Sequence, residues 1–85
     1  MVMRGNEQWR EDLNWLLENE FVGFGGQTEL WKALCFLRPG LSRIAVHTWC
    51  ADRRRPNYVN QQALRALRQI KQRDRDMADA LRYGC

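Results

Sequence analysis

Apolar residues recur at helical spacing along most of the chain, and no segment alternates between apolar and polar residues with a period of two. Glycine and proline interrupt the pattern at Gly23–Gly26, Pro39–Gly40 and Pro56. The pattern therefore predicts an all-α fold. The predicted helices cover residues 6–22, a segment from Gln27 or Thr28 to Pro39, residues 43–52, and about residues 57–83. The last segment becomes heavily charged beyond Ile70 and either continues or kinks into a fifth helix, so we expect four to five helices.

The predicted core follows from the same spacing. Thr28, Ser42 and Asn57 stand where helix N-caps are expected. Val46 and Trp49, with Ala45, share one side of the third helix, and we expect this side to point inward. The other predicted core residues are Trp9, Leu13, Leu16, Leu17 and Phe21 in the first helix, Trp31 in the second, and Val59, Ala63, Leu67 and Ile70 in the fourth, widened by Leu64 and Ala66.

The length of 85 residues predicts a single domain, residues 1–85, whose small core favours a dimer. A hydrophobic content of 45% with four Trp excludes a disordered chain. The three cysteines are widely spaced and odd in number, which predicts reduced thiols in a cytosol and no disulfide scaffold. We expect no membrane span, because no run of eighteen apolar residues exists, and no signal peptide at the N-terminus.

Positive charge is concentrated in the middle of the chain. Residues 31–73 hold ten Lys and Arg against one Asp, a net charge of +9, whereas residues 1–30 hold two Arg against six acids, a net charge of −4. Most of the positive residues are Arg, whose planar guanidinium matches phosphates and guanine edges. This polarity predicts a polyanionic partner that one face of the protein contacts.

The outward side of the third helix carries a mixture of groups suited to a DNA major groove. Arg43 and Thr48 offer hydrogen bonds, His47 can donate or accept, and Ile44 offers an apolar contact. Arg53, Arg54 and Arg55 follow at the C-terminal end of the helix, where they are placed to contact phosphates.

The segment "GLSRIAVHTW", residues 40–49, resembles the turn and second helix of the helix-turn-helix in regulators of the phage repressor and Cro type. Gly40 matches the turn, and Val46 and Trp49 match the core positions. The continuation "CADRRRPNYVNQQALRAL" is similar to the W-x-x-G-x-R-x-P segment and the helix that follows it in many such regulators. The resemblance covers about residues 27–70, and it implies a helix-turn-helix motif over about 27–56.

The resemblance implies two groups of DNA-binding residues. Ser42, Arg43, Ile44, His47 and Thr48 are expected to face bases. Residues expected to face the DNA backbone are Arg53, Arg54, Arg55, Asn57, Tyr58 and Gln61, together with Lys32 from the second helix.

Other chemistry has weaker support in the sequence. His47 has no second His and no suitably spaced Cys pair that would complete a metal site. His47 and Cys50 lie three residues apart and could touch, but no third catalytic partner is evident. The glycines of "GFGG" lack the G-K-[ST] of a phosphate loop. We therefore expect no enzyme, no cofactor and no small-molecule substrate.

Three functions remain open. The leading hypothesis is a transcriptional regulator in the bacterial cytosol or nucleoid, a phage or mobile-element repressor that binds a palindromic site in double-stranded DNA as a homodimer. The alternative is a small helical module that inhibits or adapts a host protein, motivated by the acidic first helix, by Trp15, and by departures from the family pattern at Phe36 and Pro39. The third is non-specific DNA or RNA binding.

Trp15 has two alternative roles. It lies away from the Trp9–Leu13–Leu16 stripe of the first helix, so it either contacts a partner subunit or packs beneath the C-terminal helix.

Overall fold

The computed structural model describes residues 8–83, and this part of the chain is all-α with four helices and no strand. The helices are α1 (Gln8–Asn19), α2 (Gly26–Leu37), α3 (Arg43–Cys50) and α4 (Tyr58–Tyr83). The predicted fold class is thus confirmed. The C-terminal segment forms one continuous helix of 26 residues, so no fifth helix arises there. The predicted start of the first helix at residues 6–7 and the thiol of Cys85 lie outside the described residues.

Two of the three predicted N-caps are confirmed. The Ser42 hydroxyl accepts a hydrogen bond from the Ile44 backbone amide at 3.1 Å, and the Asn57 side-chain Oδ1 accepts one from the Asn60 backbone amide at 2.8 Å. The cap predicted at Thr28 is wrong, because α2 begins two residues earlier. Its N-cap is Gly25, which has a left-handed φ of 84° and makes no side-chain cap bond.

Glycine is required at two of the turns. A Cβ at Gly26 would overlap the carbonyl oxygen of Phe21, because the chain doubles back closely where α1 ends. Gly40 has a φ of 86° in the connection between α2 and α3, a conformation that side chains with a Cβ rarely adopt. These two glycines set the paths by which the chain enters and leaves α2.

All four helices contribute to one core. α4 packs against both α1 and α2, and α3 packs against α2. The predicted inward placement of Val46 and Trp49 is confirmed, since both are buried. The buried apolar residues are Trp9, Leu13, Leu16, Leu30, Leu34, Val46, Trp49, Ala63, Leu64 and Leu67.

The predicted core face of α4 is partly wrong. Leu64, which was predicted only to widen the core face, is fully buried, whereas Val59 and Ile70 are about half exposed. The inward face is therefore rotated relative to the one predicted, and a second row of apolar residues on α4 stays at the surface.

Trp15 packs against α4. Its ring lies 5.5 Å from the guanidinium of Arg68 and 5.8 Å from that of Arg75, and the indole is half-buried. Of the two roles predicted for Trp15, the structure shows the packing role beneath the C-terminal helix.

Among residues 8–83, none of the helices combines the length and the apolar character that a membrane span requires.

Candidate nucleic-acid interface

The outward side of α3 is open to solvent along its length. Val46 and Trp49 fix the helix by their burial, and this leaves Arg43, Ile44 and His47 exposed. Ile44 is 74% exposed, although a residue of its size and apolarity is usually buried in a small domain. The helix therefore presents a cation, an apolar side chain and an imidazole side by side.

These side chains border an open groove of about 500 Å³ on the surface. We call it the α3 groove. Its lining residues are Gln27, Arg43, Ile44, His47, Thr48, Cys50, Ala51 and Arg53. Five of the residues predicted from the sequence as DNA contacts line this one groove, so the fold brings them to one surface: Arg43, Ile44, His47, Thr48 and Arg53.

Two of the predicted base-facing side chains also have a structural role. The Thr48 hydroxyl donates to the carbonyl oxygen of Ile44 within α3, and the residue is half-buried. The Ser42 hydroxyl accepts from the Ile44 amide as the helix cap, and Ser42 does not line the groove. Each hydroxyl has further hydrogen-bonding capacity, but its orientation is set by the helix itself.

The loop after α3 carries exposed arginines beside the groove. Arg53, Arg54 and Arg55 are all exposed, and the Arg53 amide donates to the Thr48 carbonyl oxygen at 3.0 Å, which folds the start of the loop back onto α3. None of the ion pairs found in residues 8–83 engages Arg43, Arg53 or Arg54. Their positive charge is thus not neutralised by a neighbouring carboxylate.

Asp52 is the one acid in the basic segment, and its charge is balanced by α1. Arg10 contacts both carboxylate oxygens of Asp52, at 2.8 and 3.2 Å. Asp52 has a φ of 61°, in the left-handed region where Gly is usual and Asp is tolerated. Asp52 stands at the Gly position of the W-x-x-G-x-R-x-P pattern, and an Asp fits the left-handed backbone at this turn. The Arg10 pair also offsets its negative charge beside the basic surface.

The remaining predicted contacts lie outside the α3 groove. Lys32 is exposed on α2 and pairs with Glu29 at 3.2 Å. The side chains of Asn57 and Gln61 hold the start of α4, since Gln61 donates to the Pro56 carbonyl oxygen at 2.8 Å and Asn57 forms the cap. Tyr58 is exposed at the first position of α4. The predicted DNA contacts that do not line the α3 groove are Lys32, Ser42, Arg54, Arg55, Asn57, Tyr58 and Gln61.

Sequence reasoning missed two residues beside α3. Gln27 lies in the first turn of α2 and lines the α3 groove. Phe24 is fully exposed in the turn before α2 and, with Gln27 and His47, lines a smaller depression of about 310 Å³. The turn was predicted only from its glycines, and no local signal places it against α3, because this contact depends on how α2 packs.

The Cys50 thiol lines the α3 groove together with His47. Burial raises the pKa of the Cys50 thiol, which reduces the fraction of the nucleophilic thiolate at neutral pH. Within residues 8–83, no three His, Cys, Asp or Glu residues cluster closely enough to hold a metal ion.

Comparisons with protein-family models, with curated proteins and with solved structures found no match to this chain.

Proposed function

We propose that this protein is a sequence-specific regulator that binds double-stranded DNA through α3. The observation that supports the proposal most strongly is the exposed row of Arg43, Ile44 and His47 on a helix fixed by Val46 and Trp49. A major groove about 12 Å wide admits an α-helix, and base edges in that groove offer acceptors, donors and the thymine methyl group. The row offers one side chain for each of these classes of contact.

In the proposed complex, different residues read bases and hold the backbone. Arg43 donates two hydrogen bonds to a guanine, Ile44 contacts a thymine methyl group, and His47 reads a neighbouring base. Arg53 and Arg54 bind phosphates and fix the register of α3 in the groove. Gln27, across the groove from α3, is an additional polar contact of this interface.

The biological role that fits this chemistry is repression in a bacterial cytosol or nucleoid. A phage or mobile-element repressor that binds a palindromic operator as a homodimer blocks a promoter by occupying it. Two copies are needed because one α3 of eight residues contacts only a few base pairs, and a second half-site multiplies the specificity.

A selection from random duplex DNA tests the proposal directly. The purified chain is used to enrich binding sequences over several rounds, and binding of the winning duplex and of a scrambled duplex is then measured by fluorescence anisotropy at several salt concentrations. We expect an enriched motif with two-fold symmetry and binding at least about 10³ times tighter than to the scrambled duplex. Sequence-specific binding is contradicted if no motif is enriched, or if the enriched and scrambled duplexes bind with equal affinity.

The same measurements separate this proposal from the third hypothesis. Non-specific or RNA binding gives a steep salt dependence with no difference between the two duplexes, or a preference for a matched RNA. Absence of binding to any nucleic acid at low salt rejects both forms of nucleic-acid binding.

The second candidate is a module that binds a host protein, and one observation favours it. Phe36 stands where the family pattern has a small residue, and its side chain is exposed on α2. Exposed aromatic rings are enriched at protein interfaces. In this case Phe36→Ser abolishes the interaction with the host protein, whereas DNA binding by the wild-type chain is absent at low salt.

A further inference from the structure

We infer that a second copy of this chain packs along one surface of α4, parallel to the first, and that this surface forms the dimer. The surface is the α4 stripe, made of Val59, Ala66, Ile70, Met77 and Leu81. The dimer itself stands independently of DNA binding. Its consequence, the pairing of two α3 helices on one operator, rests on the proposed function.

The α4 stripe is apolar and largely exposed, with one gap between Ile70 and Met77. Ile70 is 47% exposed, Met77 58% and Leu81 75%. At about 100° per residue, all members of the stripe lie within a sector of about 60°. This sector is about 80° round the helix from the centre of the inward face, which is formed by Asn60, Ala63, Leu64 and Leu67. The stripe runs for about 33 Å at 1.5 Å per residue, or about six turns of the helix.

The part of α4 that carries the stripe is anchored to the rest of the fold. Arg75 donates to the carboxylate of Glu20 and to the carbonyl oxygen of Asn19, both at the end of α1. Lys71 lies 5.9 Å from the centroid of the Phe21 ring. These contacts approach α4 from the inward side, so they hold the helix in place and leave the stripe uncovered.

The charges that border the stripe complement those of a second copy. Arg73 lies about 50° to one side of the stripe and Asp74 about 50° to the other, at almost the same height on the helix. In a parallel pair related by a two-fold axis along α4, the Arg73 side of one copy meets the Asp74 side of the other. Two symmetric Arg73–Asp74 pairs then close the gap between Ile70 and Met77. In an antiparallel pair centred there, Asp74 meets Asp74.

Other occupants fit the stripe less well. DNA is repelled by Asp74 beside an apolar surface, whereas the basic α3 groove attracts it. A membrane surface favours a stripe bordered by Lys and Arg on both sides, and here one border is acidic. If a host protein and not a second copy covers the stripe, the purified chain stays monomeric in sedimentation.

Sedimentation equilibrium of the full chain without DNA tests the inference. The expected result is a species of twice the 10.1 kDa chain mass that dissociates on dilution. Met77→Lys places a charge in the stripe and is expected to raise the dimer dissociation constant by roughly tenfold or more. The matched control, Gln72→Lys, adds the same charge to an exposed position away from the stripe and leaves the constant unchanged.

A charge exchange tests the parallel arrangement without altering the apolar residues. Arg73→Asp is expected to weaken the dimer, and the addition of Asp74→Arg in the same chain is expected to restore it. Circular dichroism checks that each variant keeps its helical content.

A wild-type chain that stays monomeric up to several hundred micromolar overturns the inference, as do equal effects of Met77→Lys and Gln72→Lys. These outcomes are distinguishable from failure of the proposed function. A monomer that binds its selected DNA sequence rejects only the dimer, and a dimer that binds no DNA rejects only the regulator.

Discussion

At the scale of single residues, the proposed interface depends on which arginines are engaged within the fold. Arg10 is held by Asp52 and Arg68 by Asp12, whereas Arg43 and Arg54 form no ion pair in the described part of the chain. The arginine side chain keeps its charge at any physiological pH and its donors are fixed in one plane. Arg43 and Arg54, which have no carboxylate partner in the described part of the chain, are therefore available to bind an external anion.

Arg43 and Arg54 are expected to act differently in DNA binding. Arg43→Ala removes a base contact and should reduce discrimination between the selected site and its single-base variants by about 1–3 kcal/mol. Arg54→Ala removes a phosphate contact and should weaken binding to all duplexes alike, with the salt slope reduced by about 1. Competition anisotropy over a set of single-base variants measures both. Equal effects of the two substitutions on discrimination contradict the assignment.

Asp52 is expected to be constrained by its backbone and only weakly by its charge. Asp52→Val places a β-branched residue at a φ of 61° and should cost about 1–3 kcal/mol of unfolding free energy. Asp52→Gly loses an exposed ion pair worth at most about 1 kcal/mol and relieves the left-handed strain, so it should be close to neutral. Urea unfolding followed by circular dichroism measures both. A Val variant as stable as wild type contradicts the strain argument.

At the scale of the helices, the sequence predicted α3 better than α4. Ser42 caps α3 and fixes where the helix begins. Val46 and Trp49 are large apolar residues three positions apart on one side of α3, so the sequence favours the orientation in which that side is buried. In α4, Val59 and Ile70 keep helical phase with Ala63 and Leu67, and the pattern contains two apolar rows. Which row is covered depends on where α1 and α2 pack, and local spacing does not specify that. The placement of Phe24 and Gln27 beside α3 was beyond sequence reasoning for the same reason.

A predicted cap that the structure confirms, Ser42, and one that it does not, Thr28, can be compared by mutation. Ser42→Ala removes the hydrogen bond to the Ile44 amide and should cost about 1 kcal/mol of unfolding free energy. Thr28→Ala is made inside the first turn of α2, where Thr28 caps nothing, and should change stability by less than about 0.5 kcal/mol. Thermal or urea unfolding gives both values. A larger loss for Thr28 than for Ser42 contradicts the helix start at Gly26.

At the scale of the whole molecule, a buried ion pair joins the first helix to the last. Asp12 is only 3% exposed, and the guanidinium of Arg68 donates to it at 3.0 Å across 56 residues of sequence. The Arg68 guanidinium also lies over the Trp15 ring, so this one side chain of α4 contacts two residues of α1. Because α4 also packs on α2, which holds α3, the position of the proposed DNA-binding helix depends on this junction.

Removal of Arg68 should therefore be far more damaging than removal of a surface arginine. Arg68→Met leaves the buried Asp12 carboxylate without a counter-charge, which should cost about 3–5 kcal/mol, a large part of the total stability of a small domain. Asp12→Asn leaves no buried charge and should cost less, because Arg68 still reaches solvent. Arg65→Met, on the exposed side of the same helix, is the matched control and should be nearly neutral. Unfolding free energies of the three variants and of the Asp12→Asn, Arg68→Met double variant give the coupling between the two residues. If Arg68→Met costs no more than Arg65→Met, the Asp12–Arg68 pair does not hold α1 against α4.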